Sequence, residues 1–245
     1  DFLSVRNLFQ LMYSDRSAPG NGLVKGTLTE VTTETAKLRA DYHVDMAPQW
    51  ELVLRGDLPF LARNPVNANN PNGDFLYGVG DADIQAAVID QLNERWKAGF
   101  GARLIAPTGA EAITSGKWRI MPGAAVRYDL QEISAGSYFE PLLRYEVSFA
   151  GDPSKRNISN LQFAPTFNIG LPNRWFFTLF PSPDIRVNFG DPIAGQTGRL
   201  FVPLDARIGR KISDNVTLSL EAAAPIIRDY PVFDFKTEVR LNIRF

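Results

Sequence analysis

The sequence contains no cysteine and a single histidine, His43, among 245 residues. The absence of cysteine excludes disulfide bonds, thiolate nucleophiles and cysteine-ligated metal sites. A zinc site built on two histidines is excluded by the same count. No apolar run approaches the roughly 18 residues that a membrane-spanning helix needs. A membrane barrel would still be compatible with this hydropathy, because only alternate residues of its strands face lipid.

Charge is nearly balanced, with 26 basic and 27 acidic residues and a formal net charge of -1. A chain without net positive charge has no bulk attraction to nucleic acid, so we expect no nucleic-acid partner. No Gly-x-Ser-x-Gly motif marks a nucleophilic serine, and we expect no catalytic residues, no cofactor and no metal ion. The length suits one all-β domain. Because the chain starts at Asp1 without a leader, we expect a mature protein whose export signal has been removed.

The last thirteen residues, from Phe233 to Phe245, alternate between two chemically different faces. Odd positions are apolar apart from Thr237, and even positions are charged apart from Asn242. A strand sends alternate side chains to opposite faces, so this strand has an oily face and a charged face. In a closed transmembrane barrel the oily face meets lipid and the charged face lines a wet interior. The pattern therefore predicts such a barrel, with a soluble β-sandwich or lipocalin-like barrel as the alternative.

The same unit of strand, short turn, strand and longer loop repeats along the chain. Short turns are predicted near residues 47, 93, 130, 173 and 214, and longer loops at 62–79, 108–116, 152–159 and 190–198. Bacterial barrels of this kind have an even number of strands, short periplasmic turns and longer external loops. The sequence thus predicts an all-β, antiparallel up-and-down transmembrane barrel of about 12 strands. We expect it in the outer membrane of a Gram-negative bacterium, with both termini periplasmic.

Aromatic residues support this orientation. One group of them is predicted at the periplasmic end, where membrane–water interfaces are enriched in such side chains. The group consists of Trp50, Trp96, Tyr128, Trp175 and Phe245. Trp118 is predicted at the opposite rim.

Residues 1–22 lack the alternation of the rest of the chain. Apolar residues instead recur at helical spacing between Val5 and Met12, before a turn-rich stretch. We expect this segment either to fold into the barrel lumen as a plug or to form a loosely ordered periplasmic tail. The barrel itself is expected to span residues 23–245 and to begin with a weakly patterned strand over residues 23–33.

The inward positions of the predicted strands carry arginines and carboxylates in nearly equal number. The predicted pore-lining residues are Arg39, Asp41, His43, Arg55, Asp57, Arg103, Arg119, Arg127, Arg144, Glu146, Asp184, Arg186, Asp205, Arg207, Glu221, Glu238 and Arg240. In one interpretation, many of these charges form cross-strand arginine–carboxylate pairs that rigidify the wall, because charges away from water need partners. In the other, they line a narrow passage, since a barrel of this size lies between small barrels filled by side chains and large open ones.

A smaller set of inward positions is apolar. The predicted apolar lumen contacts are Val53, Ile105, Met121, Leu142, Phe176, Phe180 and Phe201. These side chains either give a solute an apolar track or pack against the N-terminal plug and one another. Prolines also fall inside several predicted strands. Because proline lacks the N–H that a ladder needs, they predict bulges or breaks in the wall.

Three motifs carry a family resemblance. They are Gly78-Val79-Gly80-Asp81-Ala82-Asp83-Ile84-Gln85, the run from Trp96 to Gly109, and Ser115-Gly116-Lys117-Trp118. With them, the chain from about residue 37 to Phe245 resembles the outer-membrane channel family associated with phenol-degradation (meta-pathway) gene clusters. The resemblance implies an outer-membrane barrel for uptake of small hydrophobic or aromatic compounds in Gram-negative degraders. It implies no catalytic residues.

The sequence therefore predicts a passive diffusion channel and not an enzyme. Its expected partners are a small-molecule solute, outer-membrane lipid and the barrel assembly machinery, the last through the C-terminal strand ending at Phe245. One alternative is a plugged barrel with a structural role. Another is a lipid-modifying enzyme centred on His43, which would need a nucleophile nearby.

Overall fold

A computed structural model describes residues 8–24, 27–65, 70–111, 113–193 and 195–244, with side chains from Thr32 onward. The described chain is almost entirely antiparallel β-structure. Its strands are β1 (Leu8–Val24), β2 (Thr27–Ala47), β3 (Trp50–Arg63), β4 (Leu76–Val79), β5 (Asp83–Gln91), β6 (Trp96–Ile105), β7 (Lys117–Asp129), β8 (Tyr138–Gly151), β9 (Ser159–Gly170), β10 (Trp175–Leu179), β11 (Ile185–Asn188), β12 (Leu200–Lys211), β13 (Val216–Arg228) and β14 (Phe235–Arg244). Within the described ranges, no helix is long and apolar enough to cross a membrane.

The fourteen strands occupy twelve positions around one closed wall. β4 and β5 pair with successive parts of β3 and so form one interrupted wall strand. β10 and β11 also share one position, because each pairs with both β9 and β12. β14 pairs with both β13 and β1, which leaves no free edge among the described strands. The predicted all-β, up-and-down barrel is confirmed.

The barrel has two ends, which we call the turn end and the loop end. Short connections lie at the turn end, such as residues 171–174 between β9 and β10. β1 begins and β14 finishes there, where Leu8 pairs with Arg244. Longer connections lie at the loop end, including residues 106–116 between β6 and β7. Most connections therefore follow the predicted alternation. One exception is residues 130–137 at the turn end, which form a longer connection than residues 152–158 at the loop end.

The described aromatic residues lie at the predicted ends of the barrel. Three tryptophans each begin a strand at the turn end, namely Trp50, Trp96 and Trp175. The rings of Trp96 and Tyr128 lie 4.7 Å apart, because these residues face each other across β6 and β7. Trp118 lies near the start of β7 at the loop end. Phe245 lies outside the described residues.

The wall begins earlier in the chain than the sequence indicated. β1 covers Leu8–Val24 and pairs with β14 on one side and β2 on the other. The placement of residues 8–22 in a plug or tail was therefore wrong. The predicted strand over 23–33 is divided in the described structure between the end of β1 and the start of β2, which pair with each other. Closure explains the difference, since β14 needs a partner whatever the local pattern of β1. The plug or tail expected within residues 1–7 lies outside the described residues and stays a prediction.

Two further strand boundaries differ from the expectation. The loop predicted over 62–79 contains β4, which pairs with the end of β3. The single strand predicted over 175–189 is interrupted at residues 180–184. This interruption contains Pro181 and Pro183, which lack ladder donors, and Phe180, whose φ is positive at 49°. The expected break in the wall thus occurs at this position.

Burial alternates along the strands and separates the two faces of the wall. In β14, Lys236, Glu238 and Arg240 are buried inside the barrel, at 0%, 8% and 7% exposure. On the other face, Phe235 and Val239 are 50% and 44% exposed. The outer surface is therefore apolar and the interior charged, which is the arrangement a barrel needs in lipid.

Phe233 departs from this alternation. The sequence assigned it to the oily face, but it precedes β14 and is fully buried. Its ring packs edge-on against Phe201, with centroids 4.9 Å apart. The chain has not yet entered the regular strand at this residue, so the period of two does not apply to it.

Candidate functional site

Two cavities lie inside the barrel. The turn-side cavity has a volume of about 310 Å³ and the loop-side cavity about 560 Å³. Among the described residues, four line both cavities, and all four are arginines: Arg39, Arg55, Arg207 and Arg240. We call them the junction arginines. They come from β2, β3, β12 and β14, so their position depends on the closure of the barrel.

Most of the predicted pore-lining residues line one of these cavities. They are Arg39, Arg55, Arg103, Arg119, Arg127, Arg144, Glu146, Asp184, Arg186, Arg207, Glu238 and Arg240. The remaining predicted residues, which line neither cavity in the described structure, are Asp41, His43, Asp57, Asp205 and Glu221. Four of these five are carboxylates that are buried almost completely. Asp41 and Asp57 pair with Arg55 and Arg39 from within the wall, whereas Asp205 and Glu221 contact Lys236.

The predicted apolar contacts divide into two groups. Ile105, Met121 and Leu142 line the loop-side cavity, and Phe176 lines the turn-side cavity. Val53 instead packs with Ile89 and Ala125. Phe201 packs with Phe233, and Phe180 lies in the interruption between β10 and β11. The packing interpretation therefore describes Val53 and Phe201, while the other group is exposed to the lumen.

Two of the junction arginines are held by carboxylates directly across the β2–β3 ladder. Arg39 donates from Nε and Nη2 to the two oxygens of Asp57, at 2.6 and 2.5 Å. Arg55 donates in the same way to Asp41, at 2.7 and 2.6 Å. Paired donation of this kind fixes the plane of a guanidinium. The predicted cross-strand arginine–carboxylate pairs are thus confirmed on these strands, and they orient the junction arginines.

Two other inward arginines have no carboxylate within 4 Å among the described side chains. Arg144 donates to the amide oxygen of Gln162, at 2.9 Å. Arg207 lies 5.9 Å from the ring centroid of Phe176, and its buried Nε has no hydrogen-bond partner in the described structure. A buried donor without a partner costs free energy. Both guanidiniums therefore remain available to an acceptor from the lumen.

A compact ionic cluster lies beside the interruption in the wall. Lys236 Nζ lies 2.5 Å from both Asp184 and Glu221 and 3.2 Å from Asp205. Ser182 Oγ in the interruption also donates to Glu221, at 2.8 Å. The four charged residues come from four adjacent wall positions and are each at most 3% exposed. One ammonium group therefore ties the interrupted strand to β12, β13 and β14.

Asp81 organises the loop end. Its carboxylate accepts hydrogen bonds from Thr114 Oγ1 at 2.5 Å and from the backbone N–H and hydroxyl of Ser115 at 3.0 and 2.6 Å. Arg119 Nη2 contributes a further bond at 3.2 Å. Ile113 and these two loop residues line the loop-side cavity. The sequence offered Asp81 within the family-like motif but did not reveal that it holds the 106–116 loop over the lumen.

His43 lies near the turn end rather than at the junction. Its Nδ1 lies 2.7 Å from a carboxylate oxygen of Glu51 on β3. A histidine paired with a carboxylate is one part of a hydrolase site, which also needs a nucleophile and an oxyanion donor. The enzyme interpretation therefore rests on this pair alone.

Several residues of the lumen were absent from the predicted site. Tyr138 and Lys211 line the turn-side cavity and were inward by alternation, so the signal for them was present in the sequence. Arg174 lies in a turn, where no periodic pattern applies, and it lines the turn-side cavity. Its position required the structure.

The apolar outer surface, charged interior and closed wall together define a transmembrane β-barrel of the outer-membrane type. This is the class of protein to which the fold belongs.

Solved structures with this fold come from proteins of different function. A COG4313 outer-membrane channel from Pseudomonas putida is 18% identical, with a TM-score of 0.71 over 99% of this chain and 97% of the other. The NanC porin is 10% identical, with a TM-score of 0.55 over 97% and 98% of the two chains. The translocator domain of the autotransporter NalP from Neisseria meningitidis is 9% identical, with a TM-score of 0.53 over 100% and 90%. No family model and no curated protein matches the chain.

These identities establish a shared fold and leave the role of individual residues to the site itself. Channels and an autotransporter translocator share the barrel, so the fold alone does not determine what passes through it. The lining of the two cavities carries that information.

Proposed function

We propose that the protein is a passive outer-membrane diffusion channel for small molecules and not an enzyme. The observation that carries the proposal is the sharing of the junction arginines by the two cavities, which together extend from the loop end towards the turn end. A wet, charged path through a closed barrel is the arrangement by which such proteins filter solutes. The likeness to the COG4313 channel and the NanC porin supports the same function.

Hydrophobic or aromatic compounds are the solutes we propose. Ile105, Met121 and Leu142 form apolar contacts within the loop-side cavity, and Phe176 continues them on the turn side. A passage of this kind gives an aromatic ring apolar contact area between charged groups. The resemblance to channels of phenol-degradation gene clusters, carried by the motifs between Gly78 and Trp118, supports the same solute class.

The proposed location is the outer membrane of a Gram-negative bacterium, with the turn end and both termini in the periplasm. The tryptophans at the turn end and the short turns support this orientation. The proposed partners are the solute, outer-membrane lipid on the exposed apolar face, and the barrel assembly machinery. We propose no nucleic-acid partner, because the net charge is only -1.

Planar-bilayer conductance combined with liposome swelling tests the channel. We expect discrete conductance steps and swelling rates that fall as uncharged sugars of increasing size are used, because the lumen is narrow. A variant lacking residues 1–7 is the companion sample, since the described wall starts at Leu8 and is left intact. Absence of both conductance and swelling in the full chain and in this variant would falsify the proposed function.

The final residue tests the proposed assembly partner. We expect deletion of Phe245 to reduce the amount of folded barrel in the outer membrane, because the C-terminal strand is proposed to be recognised during insertion. Heat-modifiable migration of the membrane fraction on gels measures the folded amount. Phe245→Tyr keeps an aromatic residue and is expected to assemble normally. Equal assembly of the deletion and the unmodified chain would contradict recognition through this residue.

A further inference from the structure

The turn-side cavity has a one-sided charge. Eight lysine and arginine side chains line it, and no carboxylate does so among the described residues. Four of the eight are the junction arginines, and the others are Arg127, Arg174, Lys211 and Arg244. The loop-side cavity is mixed, with ten basic and six acidic residues in its lining. Positive charge therefore rises along the lumen and is greatest at the turn side.

The carboxylates that partner Arg39 and Arg55 weaken the positive field of these arginines but do not face the cavity, and Arg240 pairs with Glu238, which lines the loop-side cavity instead. Asp41 and Asp57 are each 3% exposed and line neither cavity, so they lie behind Arg55 and Arg39 in the wall. The cationic face of each pair is directed into the lumen. A ring of fixed positive charge in a narrow pore attracts anions and repels cations.

Arg207 has no such paired contact, although Glu221 lies opposite it across the β12–β13 ladder. No carboxylate lies within 4 Å of its guanidinium among the side chains that the structure describes, and its Nε is a buried donor without a partner. An anionic oxygen in the lumen would satisfy that donor, and a planar guanidinium suits a carboxylate in particular. Arg207 is therefore the junction arginine best placed to bind a ligand.

Aromatic rings accompany these charges. Phe176, Trp175 and Tyr138 all line the turn-side cavity. The Arg207 guanidinium lies 5.9 Å from the Phe176 ring centroid, and the Arg127 guanidinium lies 3.8 Å from that of Tyr138. A ligand that carries both a carboxylate and a ring would meet both kinds of surface.

We propose that the turn-side cavity, with Arg207 at its junction, is a binding site for small aromatic carboxylates and makes the channel anion-selective. The selectivity rests on the proposed channel function, whereas binding to the cavity does not require conduction. The site thus narrows the proposed solutes to organic anions that carry an aromatic ring.

Reversal potentials across a potassium chloride gradient test the selectivity. We expect the unmodified channel to pass chloride in preference to potassium. In Arg207→Gln the chloride-to-potassium permeability ratio is expected to fall by about three- to tenfold, as one unit charge a few ångströms from a permeating ion implies in a wet pore. Arg210→Gln is the matched control, since it removes the same charge from the exposed outer face of β12 and is expected to leave the ratio unchanged. The gradient is kept dilute because salt screens the effect.

Block of the chloride current by benzoate tests the ligand class. Benzamide supplies the same ring without charge, and acetate supplies the carboxylate without the ring. We expect benzoate to block at lower concentration than either, and its half-blocking concentration to rise about fivefold in Arg207→Gln. Equal block by benzoate and benzamide would refute recognition of the charge, and equal block by benzoate and acetate would refute recognition of the ring.

Calorimetric titration of benzoate into the folded barrel in detergent separates the site from the channel. Benzoate binding that weakens in Arg207→Gln and persists in Arg210→Gln supports the site, even where no conductance is measured. A conducting channel that prefers potassium and binds no benzoate overturns the inference and leaves the diffusion channel standing. Heat-modifiable migration confirms that each variant is folded.

Discussion

Replacing Lys236 by methionine is expected to lower the free energy of unfolding of the barrel by about 3–5 kcal/mol, the cost of breaking a buried ion pair by removing one partner. The ammonium group contacts Asp184, Asp205 and Glu221, and all four residues are at most 3% exposed. Without it, three carboxylates are buried side by side and repel one another. Urea or heat unfolding of the detergent-solubilised barrel measures the loss.

Two variants make the result specific to the cluster. Lys211→Met makes the same substitution at an exposed residue of the same barrel and is expected to change stability by less than about 1 kcal/mol. Adding Asp205→Asn to Lys236→Met removes one of the unpaired charges and is expected to recover part of the loss. If Lys236→Met unfolds like the unmodified chain, the cluster does not stabilise the wall.

The cluster lies where the wall most needs reinforcement. Residues 180–184 interrupt the strand formed by β10 and β11, so β9 and β12 lose part of their ladder there. Lys236 contacts Asp184 across 52 residues of sequence and links the interrupted strand to β12, β13 and β14 by ionic contacts. We therefore expect the Lys236→Met variant to lose amide protection first around this interruption.

The second large effect is expected at the loop end. In Asp81→Ala, we expect the backbone amide of Ser115 to exchange with solvent about 10- to 100-fold faster, because a hydrogen bond to a charged acceptor is worth about 1.5–3 kcal/mol. That amide donates to Asp81 Oδ2 at 3.0 Å, so its exchange reports the contact directly. Hydrogen exchange followed by mass spectrometry or NMR measures the rate.

Release of the loop is also expected to raise single-channel conductance. Ile113, Thr114 and Ser115 line the loop-side cavity, and Asp81 is the group that holds the last two there. Arg119 keeps Glu146 as a partner in the variant, so no unpaired charge is created. Asp152→Ala is the control, because Asp152 also bonds within a loop-end connection but does not line the cavity. Unchanged conductance together with faster exchange would show that the loop does not limit the passage.

Alternation in the sequence predicted the faces of the wall correctly. Within β14, the inward and outward positions from Phe235 onward are those that the period of two indicated. The alternation of short turns and longer loops also followed from turn residues such as those near 173 and 214. These features are local, because side-chain direction in a strand depends only on the backbone of that strand.

The structure has twelve wall positions, as the sequence predicted, but the first of them is formed by a different segment of the chain. The expected first strand over 23–33 is divided between the end of β1 and the start of β2, and β1 at Leu8–Val24 is the first strand of the wall. The pattern of β1 is weak because its pairing is imposed by the two strands beside it. Local sequence therefore could not locate it, although the need to close the barrel required a strand there.

By itself, the sequence determined a closed barrel with an apolar outside and a charged inside. The reason is that successive side chains of a strand point to opposite faces, so the alternation can be seen within each segment. The sequence could not determine which charges face water and which lie behind them. Asp41 and Arg55 are both inward, yet only the arginine lines the lumen. The junction arginines, the Lys236 cluster and the one-sided charge of the turn-side cavity were decided by strand register and closure. These bring together residues far apart in the chain, and that is information that no local pattern contains.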